Sequence, residues 1–485
     1  MDTRRSYCTP FVLTSGWGII KLYLLTTLLL LDVARPHAVR AQDRAQDRRR
    51  WLSPTQEVSD DPRRVPAPRG PKGPDGSIVL RGGRVFDGTG AASRPATVVI
   101  VRNRISRLLD PASTEWPRDA RVIDVTGKFV MPGLIDLHTH LTYSDPPTST
   151  TEDGTDADET LRAAQRLRFF IESGVTSVRD VASVGDVPFR LKAWVARNAL
   201  PGPRVFAAGQ RITAPGGHGA EGGNFAETGP RPIIQATGAD QWRGAVRDFF
   251  KRGADVIKIT SHFSRDEVKD AVDEAHALRL NATCDCETFY IHWAVEAGVD
   301  MIEHPLPRTD ETIRLMTERH TEADPTVCIY TILFNQLGGG YYGSTSRRFE
   351  FNDSLHLDVM RRMKRAGIKM GVGTDLVMDW YRYIPWPFIN ELKYFTAVGY
   401  TPAEVLVAAT KTNAELLDMD DRLGTLQAGK LADVLVVSGR PDERLDDLAN
   451  VDLVIRDGYV VVEGGRVSIP KQVPRAAPAP YGVKP

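Results

Sequence analysis

Two histidines, His138 and His140, stand two residues apart at the end of the apolar run "MPGLIDLHTHL". In an extended strand such residues share one face and lie about 6–7 Å apart. Imidazole is the commonest metal ligand in proteins, so the pair can converge on one ion, although His-x-His also occurs as ordinary core or surface histidine. Lys258 in "GADVIKIT" adds a second signal. Its face of the strand is opposite to Ile257 and Ile259, so it points inward if they pack outward. A bare buried ammonium costs several kcal/mol; the group either titrates or is converted. Carboxylation to a carbamate would make it an anionic oxygen ligand able to bridge two cations. His304 ends "MIEH" and Asp375 ends "GVGTD". One such aspartate is usually a cap or turn residue, but these positions are all metal-competent. The chemistry they imply is hydrolysis, since a divalent ion lowers the pKa of water to about 7 and polarises a carbonyl.

The elements that must position these residues are short apolar runs alternating with amphipathic segments. The strand candidates are "LIDLHTH", "TSVRDV", "RVFAAG", "DVIKIT", "LNATCDC", "DMIEH", "TVCIYTI" and "IKMGVGTD". Helical segments are expected over 158–173, 239–251, 265–278, 287–297 and 355–366. This alternation predicts a TIM barrel, an α/β fold whose chemistry sits at the C-terminal ends of its strands. A doubly wound sheet is the alternative, but the Gly-rich phosphate turn it usually carries is missing. Short β-rich runs from Ser77, such as "SIVLRGGRVFDG", have counterparts near the end in "ADVLVVSG" and "VDLVIRDGYVVVEGGRV". They predict one composite β-sandwich built from both ends of the chain. The organisation reads as a signal peptide over 1–41, a disordered linker over 42–76, β-sandwich over 77–131 and 425–469, barrel over 132–424, and a disordered tail over 470–485.

The charges balance, with 62 basic and 62 acidic residues among 485, so nothing suggests nucleic acid as a partner. The N-terminus has Arg4 and Arg5 before an apolar run, and small residues near Ala41. It reads as an export signal to the periplasm or beyond. The alternative is an uncleaved membrane anchor over residues 11–31. Cys8 falls in that segment. Cys284 and Cys286 are two apart on a strand, a poor geometry for bridging each other, and with Cys328 they read as reduced core residues.

The phrases "VMPGLIDLHTHL", "GADVIKI", "EAGVDMIEH", "GVGTD" and "GTLQAGKLADVLVV" resemble, in order, the amidohydrolase superfamily, nearest the branch with imidazolonepropionase-like and prolidase-like enzymes. The resemblance implies one or two divalent metal ions, zinc first, in a barrel with a composite sandwich. His138, His140 and Asp375 would hold one ion, carboxylated Lys258 would bridge, and His304 would help hold the second. The family has a histidine at the end of the fifth strand, where this chain reads "ATCDCETF". Placing Asp285 inward sends Leu280, Ala282, Cys284 and Cys286 to the helices, and the opposite register would bury Asp285 against apolar groups. Asp285 therefore takes the ligand position, where it would weaken, retune or remove the second metal site.

The expected reaction is hydrolysis of an amide-type C–N bond in a small molecule, a dipeptide or a cyclic amide, with Asp375 as proton carrier. His218 in "TAPGGHGAEGG", His262 and Tyr290 are candidate substrate contacts; His218 also reads as an incidental turn residue and Tyr290 as helix packing. The segment "QLGGGYYGSTSRR" reads as a lid or as a long surface loop. A lactone or organophosphate ester would suit the same centre. A non-catalytic binding protein on the same scaffold is a third reading, with Asp285 as its first sign. A homo-oligomer is compatible with all of them.

Overall fold

The computed structural model describes residues 73–143, 155–220, 233–287, 289–336 and 353–468. The predicted signal, anchor and tail, almost all of the linker, and nearly all of "QLGGGYYGSTSRR" lie outside them. Helices begin where side chains can satisfy the free N–H groups of the first turn. Thr155, Ser264 and Thr401 each form a capping box, with Asp158, Glu267 and Glu404 bonding back to the cap. The helix Ala239–Arg252 turns its buried stripe, Trp242, Ala245, Val246 and Phe249, to the strands, and the Trp242 indole donates to the Ala236 carbonyl at 3.1 Å.

The strands Leu134–Thr139, Val175–Asp180 and Arg204–Ala207 pair in parallel. A second parallel set runs through Arg211–Thr213, Val256–Thr260, Asn281–Asp285, Met301–Glu303 and Glu322–Asp324, with Ile233–Gln235 at its edge. The expected strand "RVFAAG" thus continues, after a break, as Arg211–Thr213, and its two parts join different sheets. With helices packed outside, the arrangement is a TIM-barrel-like α/β fold. Its ladder does not close among the described residues.

Two expected strands differ. "TVCIYTI" is largely helix, within Val327–Gln336, and the strand before it is Glu322–Asp324. A short, wholly apolar run fits a buried helix as well as a strand. Here Glu391 decides, because its carboxyl accepts the Val327 and Cys328 N–H groups at 3.1 and 2.6 Å, where a helix start leaves donors free. Among the described residues "IKMGVGTD" forms one isolated bridge, Ala323 to Met370, and Leu376 just after it bridges Thr139. It is held by Gly371 N–H to Ala323 O at 2.8 Å and Leu137 N–H to Val372 O at 3.0 Å. Gly371 and Gly373 let this backbone approach closely: a side chain at Gly373 would strike His138 and Asp324.

Segments from both ends of the described residues meet in one seven-stranded sheet in which Val434–Ser438 lies antiparallel to Lys128–Pro132. A four-stranded sheet from Ser77–Arg81 onward shares a core with it through Leu80, Val98, Ile100, Val130, Val434 and Ile455. No helix among the described residues is long and apolar enough to cross a membrane.

Glu391 is fully buried, and burial raises its carboxyl to about 8 against the pull of its two backbone donors. A raised carboxyl contributes stability that is present below its unfolded pKa, about 4.5, and is lost as pH climbs through about 8. Glu391→Gln should therefore be increasingly stabilised relative to wild type from pH 5 to pH 8, and level above that. Urea midpoints of both proteins across that range check this; a difference independent of pH would refute it.

Candidate metal centre

His138 and His140 project from the end of Leu134–Thr139, where pairing with the next strand shifts register between Asp136 and Thr139. Asp375 reaches them because its N–H bonds to the His138 carbonyl at 2.7 Å and its φ is +50°. His304 follows Met301–Glu303 and has φ +68°. Simple alternation would turn His304 away from the face that Glu303 occupies; the left-handed backbone turns it back. Burial is nearly complete, with His138 fully buried and His140, Lys258, Asp285 and His304 within 5 % of it.

The partners of the imidazoles fix their protons. His138 Nδ1 faces a Glu303 carboxylate oxygen at 2.9 Å, and His140 Nδ1 faces the Ala182 carbonyl at 3.0 Å. Both partners accept only, so both Nδ1 atoms carry hydrogen, an assignment made from the network. The two Nε2 atoms are then bare lone pairs, and they lie 3.2 Å apart. Asp375 Oδ1 adds a third lone-pair donor, 3.4 Å from one and 3.0 Å from the other. Burial, with Lys258 adding to it, pushes His138 down to about 3, and burial lowers His140 also, so an extra proton is disfavoured. Three converging donors without a proton between them fit a cation. His304 stands beside them, its Nδ1 3.8 Å from Asp375 Oδ2, and His138, His304 and Asp375 form a group able to hold a metal ion.

A layer below holds the ligands in place. Glu303 joins His138 to Arg179, whose guanidinium donates to it at 2.7 Å, and Thr283 also donates to it. Burial opposes its charge, yet Arg179, Lys258 and His138 hold the Glu303 carboxyl well below its usual range. His138, Glu303 and Asp324 are a second metal-competent group. Arg179 already places a cation there, 3.5 Å from Asp324 Oδ2. Arg166 donates to the Leu141 and Tyr143 carbonyls at 2.7 and 2.6 Å, and the His140 N–H donates to the Tyr381 hydroxyl at 3.1 Å. Asp136, two residues before His138 on the same strand, accepts from His138 N–H, Thr374 N–H and the Thr374 hydroxyl at 3.1, 3.0 and 2.7 Å.

Lys258 points inward and is fully buried, while Ile257 and Ile259 join the core. Among the described residues its Nζ has no hydrogen-bond partner, and Asp285 Oδ2 lies 4.0 Å away. Thr260 pairs with Asp285 across the neighbouring strands, and Ala282, Cys284 and Cys286 pack in the core. Cys284 and Cys286 are joined in a disulfide, with Cα atoms 5.4 Å apart. This corrects the expectation of two free thiols: the Cα separation falls within disulfide range. Cys328 is a free, buried cysteine. Asp285 Oδ2 also lies 3.3 Å from His304 Nε2 and 3.5 Å from His218 Nε2. Burial opposes the Asp285 charge, but His304, His218 and Lys258 hold its carboxyl well below the usual range. His262 and Tyr290 meet each other, ring centroids 5.1 Å apart, in an aromatic group with Phe263, Phe289 and Trp293.

The sequence reading missed Glu303, Arg179, Asp324, Arg166 and Tyr381 as supporting groups. Glu303 and Arg179 stand inside quoted strands, and two charged residues in apolar runs were an available signal. Arg166 and Tyr381 carried none, because they reach the site from two helices, Asp156–Glu172 and the 3-10 helix Met378–Tyr383.

Comparison with known proteins places this geometry in context. The profile of the amidohydrolase family matches residues 129–461. Ochratoxinase of Aspergillus niger is 27% identical over 352 residues, 65% of this chain and 71% of that one. Imidazolonepropionase of Symbiobacterium thermophilum is 23% identical over 435 residues, 81% and 95% of the two chains. The crystal structure of a Xaa-Pro dipeptidase with bound methionine in the active site superposes with a TM-score of 0.71 at 26% identity, covering 80% of this chain and 100% of that one.

If Glu303 fixes the tautomer of His138, Glu303→Gln should weaken binding of a divalent ion by about 10–100-fold. Competition against a chromophoric chelator measures this, and an unchanged affinity would refute the assignment.

Proposed function

The chain belongs to the amidohydrolase family, and on that premise we propose that it is a metal-dependent hydrolase cleaving an amide-type C–N bond of a small molecule, a dipeptide or a cyclic amide. The observation that carries this reading is the convergence of His138 Nε2, His140 Nε2 and Asp375 Oδ1 within 3.0–3.4 Å, with both Nδ1 atoms committed elsewhere. Two neutral imidazoles and a carboxylate suit zinc. When bound, such an ion supplies Lewis acidity that acidifies water and polarises a carbonyl. The likeness to a Xaa-Pro dipeptidase supports a dipeptide as the first substrate to try.

The chain's own residues do the rest. Asp375 accepts a proton from the attacking water and delivers it to the leaving nitrogen as the C–N bond breaks, giving a carboxylate and an amine. His138 and His140 stay neutral and fixed, through Glu303 and through Ala182. His218 extends beside Asp285 toward the substrate side, and His262 with Tyr290 forms an aromatic wall further out. The same reading takes the two terminal sheets as a composite β-sandwich, and residues 1–41 as an export signal.

Dialysis against a strong chelator should abolish hydrolysis, and zinc should restore it. Asp375→Asn should lower kcat by about 10²–10⁴-fold while the protein still binds substrate. A panel of dipeptides, cyclic amides, lactones and organophosphate esters checks the bond type. Turnover of esters alone would move the assignment, and a metal-replete protein inert to every class would mark a binding protein.

A further inference from the structure

We propose that the Cys284–Cys286 disulfide is a positioning device for Asp285: it fixes the backbone on both sides of that residue, so that the carboxylate is held between His304 and His218. The zinc measurement that tests its role rests on the metal-centre reading above; the bond itself and its effect on the backbone do not.

Residues that converge on the centre are held by different means. The Asp375 N–H bonds to the His138 carbonyl at 2.7 Å, and the His304 N–H bonds to the Asp324 carbonyl at 2.8 Å. The Arg308 guanidinium, itself buried, also donates to the His304 carbonyl. Asp285 sits where strand pairing gives out. On one side Asn281–Asp285 pairs with Val256–Thr260 along its whole length, but the bond just past that run, from the Ser261 N–H to the Asp285 carbonyl, is 3.3 Å long. On the other side the register with Met301–Glu303 ends one residue earlier, at Cys284 with Ile302. Cys286 lies past the end of the strand.

The disulfide supplies what the ladder does not. Cys284 and Cys286 are both fully buried in the core, with Cα atoms 5.4 Å apart. Side chains alternate along a strand, so Asp285 between them points to the opposite face. The sulfur–sulfur bond closes a covalent ring that runs through the backbone of Asp285 and restrains the direction of its side chain. The carboxylate leaves that ring toward the site, with Oδ2 3.3 Å from His304 Nε2 and 3.5 Å from His218 Nε2. Global stability is a poor account of such a bond. A crosslink acts mainly by constraining the unfolded chain, and its effect grows with the loop it closes; these cysteines are only 2 apart in sequence. The bond is also badly placed for a redox switch, because exchange requires thiolate attack on an accessible sulfur, and both residues are fully buried. What it does is local: it stiffens the chain around one side chain.

Peptide mapping of the unreduced full chain checks the bond. The peptide holding residues 284–286 should be lighter by two hydrogens than its reduced form and should resist alkylation after unfolding, whereas Cys328 is alkylated. Competition for zinc against a chromophoric chelator checks the role. Cys286→Ala should weaken zinc binding by about 10-fold, the lower end of what losing the support of a ligand costs. It should also speed amide hydrogen exchange over residues 285–287 in the metal-free protein. In an Asp285→Asn background the same substitution should change zinc affinity by less than about 2-fold, because the carboxylate it positions is already gone. An equal loss in both backgrounds marks a purely structural crosslink and overturns the proposal. So do two free thiols in the wild-type peptide, or a Cys286→Ala protein with wild-type zinc affinity; each leaves the hydrolase reading intact. Cys284→Ala opens the same bond from inside the strand and is read in the same way if Cys286→Ala does not fold. A wild type that binds no zinc removes the hydrolase reading, and the proposal is then judged on exchange: unchanged rates over residues 285–287 overturn it.

Discussion

Two imidazole lone pairs held 3.2 Å apart in a buried site are the constraint on which the rest of this site depends. Such an arrangement repels itself unless something positive lies between the nitrogens, and burial disfavours a proton. The protein nevertheless enforces it from both sides. Glu303 and the Ala182 carbonyl each claim the other nitrogen of a ring, and Asp375 adds a further acceptor. Each of these interactions suits a cation between the nitrogens, in keeping with the metal-competent group around His138.

The backbone is shaped to sustain that convergence. His304, Thr326 and Asp375 follow consecutive strand positions, and each has a positive φ, +68°, +48° and +50°. Non-glycine residues adopt this region at a cost that clusters at functional sites. Here it turns ring and carboxylate inward where the pleat would send them out. Gly373 lets the Asp375 segment lie against His138. Below, Arg179 and Glu303 form a buried ion pair at 2.7 Å. Such pairs contribute little net stability, but this one fixes a ring orientation.

Much of this was legible in the sequence. Period-two alternation placed Lys258 inward and Ile257 and Ile259 outward, and the helices lie within a few residues of their expected bounds. Six of the eight expected strands form where the apolar runs are. The two that differ fail for physical reasons: "TVCIYTI" is apolar on every face, which does not distinguish strand from helix, and "IKMGVGTD" contains glycines that serve close approach rather than pairing. The Cys284–Cys286 disulfide escaped because two cysteines of one strand were read as parallel core side chains, although their Cα separation, 5.4 Å, is within disulfide range. Supporting groups such as Arg166 and Tyr381 escaped because tertiary structure alone brings them to His140. Glu303 was hidden by the rule that worked elsewhere, since alternation allows only one of Glu303 and His304 to face inward.

The most direct measurement of the central claim is anomalous diffraction from crystals of the zinc-saturated protein. The account predicts a peak about 2.0–2.2 Å from the Nε2 atoms of His138 and His140 and from an Asp375 oxygen. A map showing only water, or nothing, between those three atoms in metal-replete protein would contradict it.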